Sequence, residues 1–176
     1  MKLSDAIALI THPGLGEQPN ARWADLGCGS GLFTFALAAQ LQRGSHIYAV
    51  DKLAVTLQRL PNPQQVSIET LQADFTSGQL PFDQLDGILM ANSLHFVPDQ
   101  PNFIATAGRQ IKKGGVLLLV EYDTDKPNRW VPYPVSRTQS KPLFANAGYT
   151  SFTELGRMPS AYHNGNLYAV IIKKEG

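Results

Sequence analysis

The run Asp25-Leu26-Gly27-Cys28-Gly29-Ser30-Gly31 restricts the folds open to this chain more than any other feature. It joins a short β-rich stretch, Ala21–Leu26, to a helical one, Leu32–Gln42, that is apolar over most of its surface. Three glycines at alternate positions between a strand and a helix permit a tight turn and let a ligand approach bare backbone. The helix start behind them offers free N–H groups and a partial positive charge, suited to a carboxylate or a phosphate. A helix that is apolar on most sides packs on a sheet rather than facing water.

The rest of the chain repeats that alternation. Leu3–Ile10 reads as a short helix within an N-terminal 1–20 segment. After the helix stop at Gly44, His46–Val50 is a second strand ending at Asp51, and Lys52–Leu60 is predicted as a helix stopped by Pro61 and Pro63. Val66–Ala73 is a strand ending at Asp74, Phe75–Gln84 a loop containing Gly78, and Leu85–Ala91 a buried strand. Pro98–Lys112 reads as a helix with proline in its opening turn. Gly114-Gly115 end it and launch Val116–Val120, a continuous apolar run typical of a central parallel strand. The 121–142 stretch carries Pro127, Pro132, Pro134 and Pro142 and reads as a long surface segment. A short helix, Lys141–Ala147, and two strands, Ser151–Gly156 and Asn166–Lys173, joined by the polar connection Met158–Gly165, complete the pattern. It predicts one α/β domain over 1–176, with a mostly parallel sheet and right-handed crossovers that put helices on both faces. Ligands of such sheets bind at the carboxyl ends of the strands, near the first.

Charge excludes some partners. With 15 basic against 14 acidic residues, a formal charge of +1 and no Lys/Arg run, there is no signal for a strong electrostatic hold on nucleic acid. No stretch reaches the roughly 18 apolar residues of a membrane span. The single cysteine, Cys28, forms neither an internal disulfide nor a zinc site, and no metal is expected. Met1–Ile10 lacks the pattern of a signal peptide, so a reducing, cytoplasmic setting is expected.

Spacing then sorts the ligands. A dinucleotide turn, G-x-G-x-x-G, would put its third glycine at residue 32, which is leucine. Asp25 would repel a pyrophosphate but suits an ammonium group. S-adenosylmethionine carries both an ammonium and a carboxylate. Asp51, 20 residues after Gly31, is placed to accept from ribose hydroxyls, its structural alternative being a helix N-cap. Asp74 is placed to accept from an adenine amino group while Phe75 or Leu53 covers the ring; its alternative is a turn-forming aspartate.

The run WADLGCGSGLFTF from Trp23 to Phe35 precedes Tyr48-Ala49-Val50-Asp51, Ala73-Asp74-Phe75 and Ile111-Lys112-Lys113-Gly114-Gly115. As an ordered set these resemble the class I S-adenosylmethionine-dependent methyltransferases over about residues 21–121. The resemblance implies a doubly wound seven-stranded sheet in the order 3-2-1-4-5-7-6, the seventh strand antiparallel, in three α/β/α layers. It implies S-adenosylmethionine as methyl donor and S-adenosylhomocysteine as product. It places Gly27, Gly29 and Gly31 along the methionine moiety, Asp51 at the ribose, Asp74 and Phe75 at adenine, and Asn92 near the sulfonium. The residue after Asp51, often apolar in the family, is Lys52 here, so Leu53 becomes the adenine neighbour. The fourth strand leads into Ala91-Asn92-Ser93-Leu94-His95, not the N-P-P-[Y/F] of enzymes that methylate amino groups of bases or glutamine.

A small-molecule acceptor methylated on oxygen or nitrogen is therefore expected, and a base is needed only when that acceptor is protonated. Candidates are His95, Glu121, Tyr122, Asp123 and His163, with His95 and Tyr122 the leading catalytic pair. Arg129, Trp130 and Tyr133, restrained by prolines, form a candidate acceptor wall, and Arg129 suits an anion. The short segment before the first strand leaves little lid, which favours a sizeable acceptor or a second subunit closing the site, as in a homodimer. The competing functions are a nicotinamide-dependent oxidoreductase and a non-catalytic cofactor-binding partner subunit.

Overall fold

Parallel strands need covered faces, and the alternation of apolar side chains along this sheet supplies two. The chain was analysed as a computed structural model that describes residues 1–76, 80–160 and 165–173. Its elements are α1 (Leu3–Ile10), β1 (Arg22–Leu26), α2 (Leu32–Ala38), β2 (His46–Asp51), β3 (Ser67–Gln72), β4 (Leu85–Ala91), α3 (Gln100–Gln110), β5 (Ile111–Tyr122), α4 (Arg137–Asn146), β6 (Ser151–Pro159) and β7 (Asn166–Lys173). They form one seven-stranded sheet in the order β3-β2-β1-β4-β5-β7-β6, as expected. The pairs from β3 to β5 are parallel, and β7 runs antiparallel to both β5 and β6. Trp23, Ile47, Leu89 and Leu118 turn to the face covered by α1 and α2. Leu26, Met90, Leu119 and Tyr168 turn to the face that carries α3 and α4. Among the described residues, no helix is long and apolar enough to cross a membrane.

Several elements depart from the sequence pattern. Residues 52–60 are not helical. Their contacts go to the glycine turn instead: Gln58 N donates to Ser30 O at 2.9 Å, and Leu57 packs where a side chain on Gly31 would stand. The β2–β3 and β3–β4 connections thus hold no helix among the described residues, and the sheet carries fewer crossover helices than expected. The second helix ends at Ala38 rather than Gln42. The third starts at Gln100, capped by Asp99 rather than opened by Pro98, and ends at Gln110. Gly114-Gly115 therefore do not stop it. The partners of β4 jump from Ile111 to Val116 between Leu85 and Gly87, so the glycines lie in an irregularity of β5 itself. The fourth helix begins at Arg137 because Ser136 and Gln139 form a capping box there, and it carries Pro142 inside. The sixth strand runs on to Pro159 through an irregularity at Glu154/Gly156. The expected connection to β7 includes His163, which lies outside the described residues.

One polar contact ties the first strand to its helix. Asp25 is 1% exposed, and its Oδ2 accepts from Thr34 Oγ1 of α2 at 2.6 Å. Its Oδ1 has no partner. Burial pushes the carboxyl up from 3.8 to about 7, against the Thr34 bond and with the charge of Asp51 adding to the rise. Folding thus favours the protonated acid, and the associated stability is complete below pH 4 and lost as pH rises through 7. Asp25→Asn keeps the acceptor for Thr34 and removes the titration. Urea unfolding across that range should show wild-type stability falling relative to the variant, by about 1.4 kcal/mol per pH unit, and then running parallel above it.

Candidate functional site

The glycine turn is held by the strand beside it. Gly27 N and Cys28 N both donate to Val50 O, at 2.8 and 2.9 Å, and Gly31 N donates to Cys28 O at 2.9 Å. Gly29 N donates to Asp51 Oδ2 at 3.0 Å. These four N–H groups of the turn are engaged within the protein, and what the turn itself offers a ligand is closeness. Gly27 has φ +82°, and a Cβ there would lie 2.5 Å from Ser93 Cβ, so only glycine lets the ends of β1 and β4 meet. Ser93 Oγ closes the junction by donating to Leu26 O at 2.6 Å.

A cavity of about 230 Å³ opens above this junction, lined by Gly27, Asp51, Lys52, Asp74, Phe75, Thr76, Asn92, Ser93 and Phe96. It gathers the carboxyl ends of β1 to β4. The second oxygen of Asp51 accepts from Leu53 N at 3.0 Å, so this carboxylate spans two backbone donors and caps no helix. Asp74 Oδ1 accepts from Thr76 N at 2.9 Å and Thr76 Oγ1 at 2.7 Å, bonds that hold its carboxyl below the usual range and keep it ionised. Asn92 stands at φ +55°, its N–H donating to Val120 O at 2.8 Å. Its Oδ1 is buried without a partner. A cavity-lining residue in the left-handed region with a buried, orphaned acceptor is the feature here that most calls for an explanation.

Of the residues singled out in the sequence, Gly27, Asp51, Lys52, Asp74, Phe75 and Asn92 line this cavity. Asp25, expected at the ligand's ammonium group, lies beneath the turn instead, because its bond to Thr34 draws it into the core. Gly29 and Gly31 shape the turn without lining the cavity, and Leu53 projects from the rim, 67% exposed. Thr76, Ser93 and Phe96 were missed. Their signal in the sequence is position alone, just past a strand end.

His95 is also off the cavity wall, 2% exposed. Its Nδ1 lies 2.7 Å from Oε2 of Glu121, which is fully buried at the end of β5. Glu121 also accepts from His95 N at 3.1 Å and Tyr122 N at 3.3 Å. The carboxylate fixes the orientation of the ring by holding Nδ1. The Tyr122 ring lies 5.9 Å from that of His95. Three other cavities are larger. One of about 480 Å³ shares Phe75 and Thr76 and runs along α3. A second, about 710 Å³, lies at the amino ends of the strands around Trp23 and Lys113, far from the strand-end acids. A third, about 430 Å³, is lined by Leu80, Pro81, Phe82 and Asp83.

Residues 24–119 match the family described as the Methyltransferase domain. Trans-aconitate 2-methyltransferase of Deinococcus radiodurans is 30% identical over 104 residues, which are 58% of this chain and 38% of that protein. Demethylmenaquinone methyltransferase of Lactiplantibacillus plantarum is 28% identical over 159 residues, 81% of this chain and 66% of the relative. The chain thus spans less than two thirds of either. Among solved structures, the Burkholderia thailandensis 1,6-didemethyltoxoflavin-N1-methyltransferase, with bound 1,6-didemethyltoxoflavin and S-adenosylhomocysteine, has the same fold at TM-score 0.73 and 19% identity, over 99% of this chain and 78% of that one. The family match covers more than half of the chain, from β1 into β5, and includes the glycine turn and the strand-end acids: the chain belongs to the methyltransferase-domain family.

Proposed function

We propose that the chain binds S-adenosylmethionine across the carboxyl ends of β1 to β4 and transfers its methyl group to a small molecule, releasing S-adenosylhomocysteine. The observation that carries this reading is the lining of the 230 Å³ cavity: two carboxylates, one strand apart, beside the orphaned Asn92 Oδ1. The donor set fits the nucleoside. Asp51 retains lone pairs for a vicinal diol after accepting from Gly29 and Leu53, and ionised Asp74 suits an exocyclic amine. Phe75 gives an apolar wall, and Asn92 offers an oxygen to an ammonium or a polarised methyl. Small-molecule relatives such as the trans-aconitate and demethylmenaquinone enzymes support the acceptor class.

When bound, S-adenosylmethionine supplies a methyl group on an already activated sulfonium. The chain's contribution is then proximity and orientation. Gly27 permits close approach, and Asp51 and Asp74 anchor the nucleoside away from the reacting end. His95, with Nδ1 held by Glu121, is the candidate base for a protonated acceptor, and Tyr122 beside it is the candidate for orienting that acceptor.

Calorimetry should detect S-adenosylhomocysteine binding and none of NAD. Asp51→Ala should weaken that binding ten- to a hundredfold, through loss of charge-assisted hydrogen bonds; unchanged affinity removes the ribose assignment. Asn92→Gly should move stability and binding in opposite directions. Relief of the left-handed backbone and of the orphaned oxygen should raise folding stability by about 1–2 kcal/mol, while S-adenosylhomocysteine affinity falls. Thermal melts and calorimetry on one sample check both. Glu121→Ala should cost about 3–5 kcal/mol by leaving a buried imidazole and two N–H groups unpaired, whereas Glu121→Gln should cost far less, as read by urea unfolding.

A further inference from the structure

We propose that the acceptor is a small planar aromatic molecule bearing an anionic group, seated against Phe96, Trp130 and Tyr133 with its anion at Arg129. This rests on the cofactor reading above and adds the acceptor's chemistry to it. Five large hydrophobic residues are exposed among those described, and four of them, Leu53, Phe96, Trp130 and Tyr133, stand on loops leaving the carboxyl ends of β2, β4 and β5. The fifth is Met1. Exposed apolar side chains on loops at one end of the sheet mark a candidate binding surface. Phe96 is both a wall of the 230 Å³ cavity and a member of this rim, so the rim adjoins the place proposed for the methyl donor.

The rings are exposed on a braced segment. Trp130 N and Val131 N donate to Asn128 Oδ1 at 2.8 and 3.0 Å. Tyr133 N donates to His95 O at 3.0 Å, and Gln100 Nε2 donates to Tyr133 O at 2.9 Å. Tyr168 OH donates to Val135 O at 2.7 Å from beneath. Val131 and Val135 are buried while Trp130 is 66% exposed. The segment therefore sorts its own apolar side chains, valines inward and rings outward, and presents rigid aromatic faces with little ordering left to lose on binding.

Charge supplies the second half of the class. The Arg129 guanidinium lies 5.2 Å from the Trp130 ring centroid, and Lys52 Nζ lies 5.9 Å from that of Phe96. Among the described residues, no carboxylate stands within ion-pair distance of Arg129, whereas the charge of Lys52 acts on Asp74 beside it. A cation stacked on a ring keeps its hydrogen-bonding edge for an anion, and Arg129 suits a carboxylate in bidentate geometry. A flat ring between aromatic faces with its carboxylate on Arg129 uses both features at once; an aliphatic anion uses only one.

Intrinsic fluorescence tests this, because the chain has two tryptophans and Trp23 is buried. With the chain saturated by S-adenosylhomocysteine, protocatechuate should quench Trp130 emission saturably, and Trp130→Phe should remove the signal. Arg129→Gln should weaken protocatechuate about tenfold while leaving catechol, which lacks the carboxylate, unchanged. Absence of quenching despite intact cofactor binding overturns this inference alone, as does equal binding of protocatechuate by Arg129→Gln. Citrate binding that matches protocatechuate and ignores Trp130→Ala overturns the aromatic requirement. Loss of the S-adenosylhomocysteine titration itself overturns the cofactor reading, and this one with it.

Discussion

The end of β2 holds the site together. Val50 O receives two N–H groups of the glycine turn and Asp51 receives a third, so the loop after β1 is shaped by the strand beside it. Asp51 also takes Leu53 N, which directs the chain leaving β2 away from a helix and across the turn. Leu57 and Gln58 then settle on Gly31 and Ser30. One carboxylate thus links the turn, the exit from β2 and the wall of the cavity. Its two oxygens are held in place by contacts within the protein itself, the preorganisation that the proposed function calls for.

Two further devices set the opposite wall. Gly27 lets Ser93 approach β1 closely, and the Asn92 backbone is held in an unfavourable conformation by its bond to Val120 O. Behind them the Glu121 carboxylate joins β5 to the turn after β4 through three bonds to His95 and Tyr122. The buried pair gives the rim a rigid back. The aromatic segment is braced on this back through the His95 carbonyl.

The sequence made the positions of chemistry legible better than the connections between them. Strand ends carry turn glycines and acids for reasons that act locally, so spacing led to Asp51 and Asp74 and the family resemblance to Asn92, all three on the cavity wall, and α1, β4 and β7 have the predicted bounds. What failed was decided by distant contacts. Lys52–Leu60 has a helical pattern, yet its side chains meet the glycine turn more than 20 positions earlier in the chain. Gly114-Gly115 resemble a helix stop but serve an irregularity of β5, because the register with β4 requires extra residues there. Pro142 resembles a boundary, but the capping box at Ser136 starts the helix upstream and carries it past the proline. The burial of Asp25 against Thr34 is likewise invisible in the sequence, because it depends on how α2 packs on β1. The pairing of His95 with Glu121 joins residues 26 apart, and only the adjacency of β4 and β5 brings them together.

The most direct test is a crystal structure of the chain grown with S-adenosylhomocysteine. The account predicts the ribose hydroxyls on Asp51, the adenine amine at Asp74 beside Phe75, and the sulfur end next to Asn92. A nucleoside found in the cavity at the amino ends of the strands, or a strand-end rim left empty at saturating ligand, would contradict it.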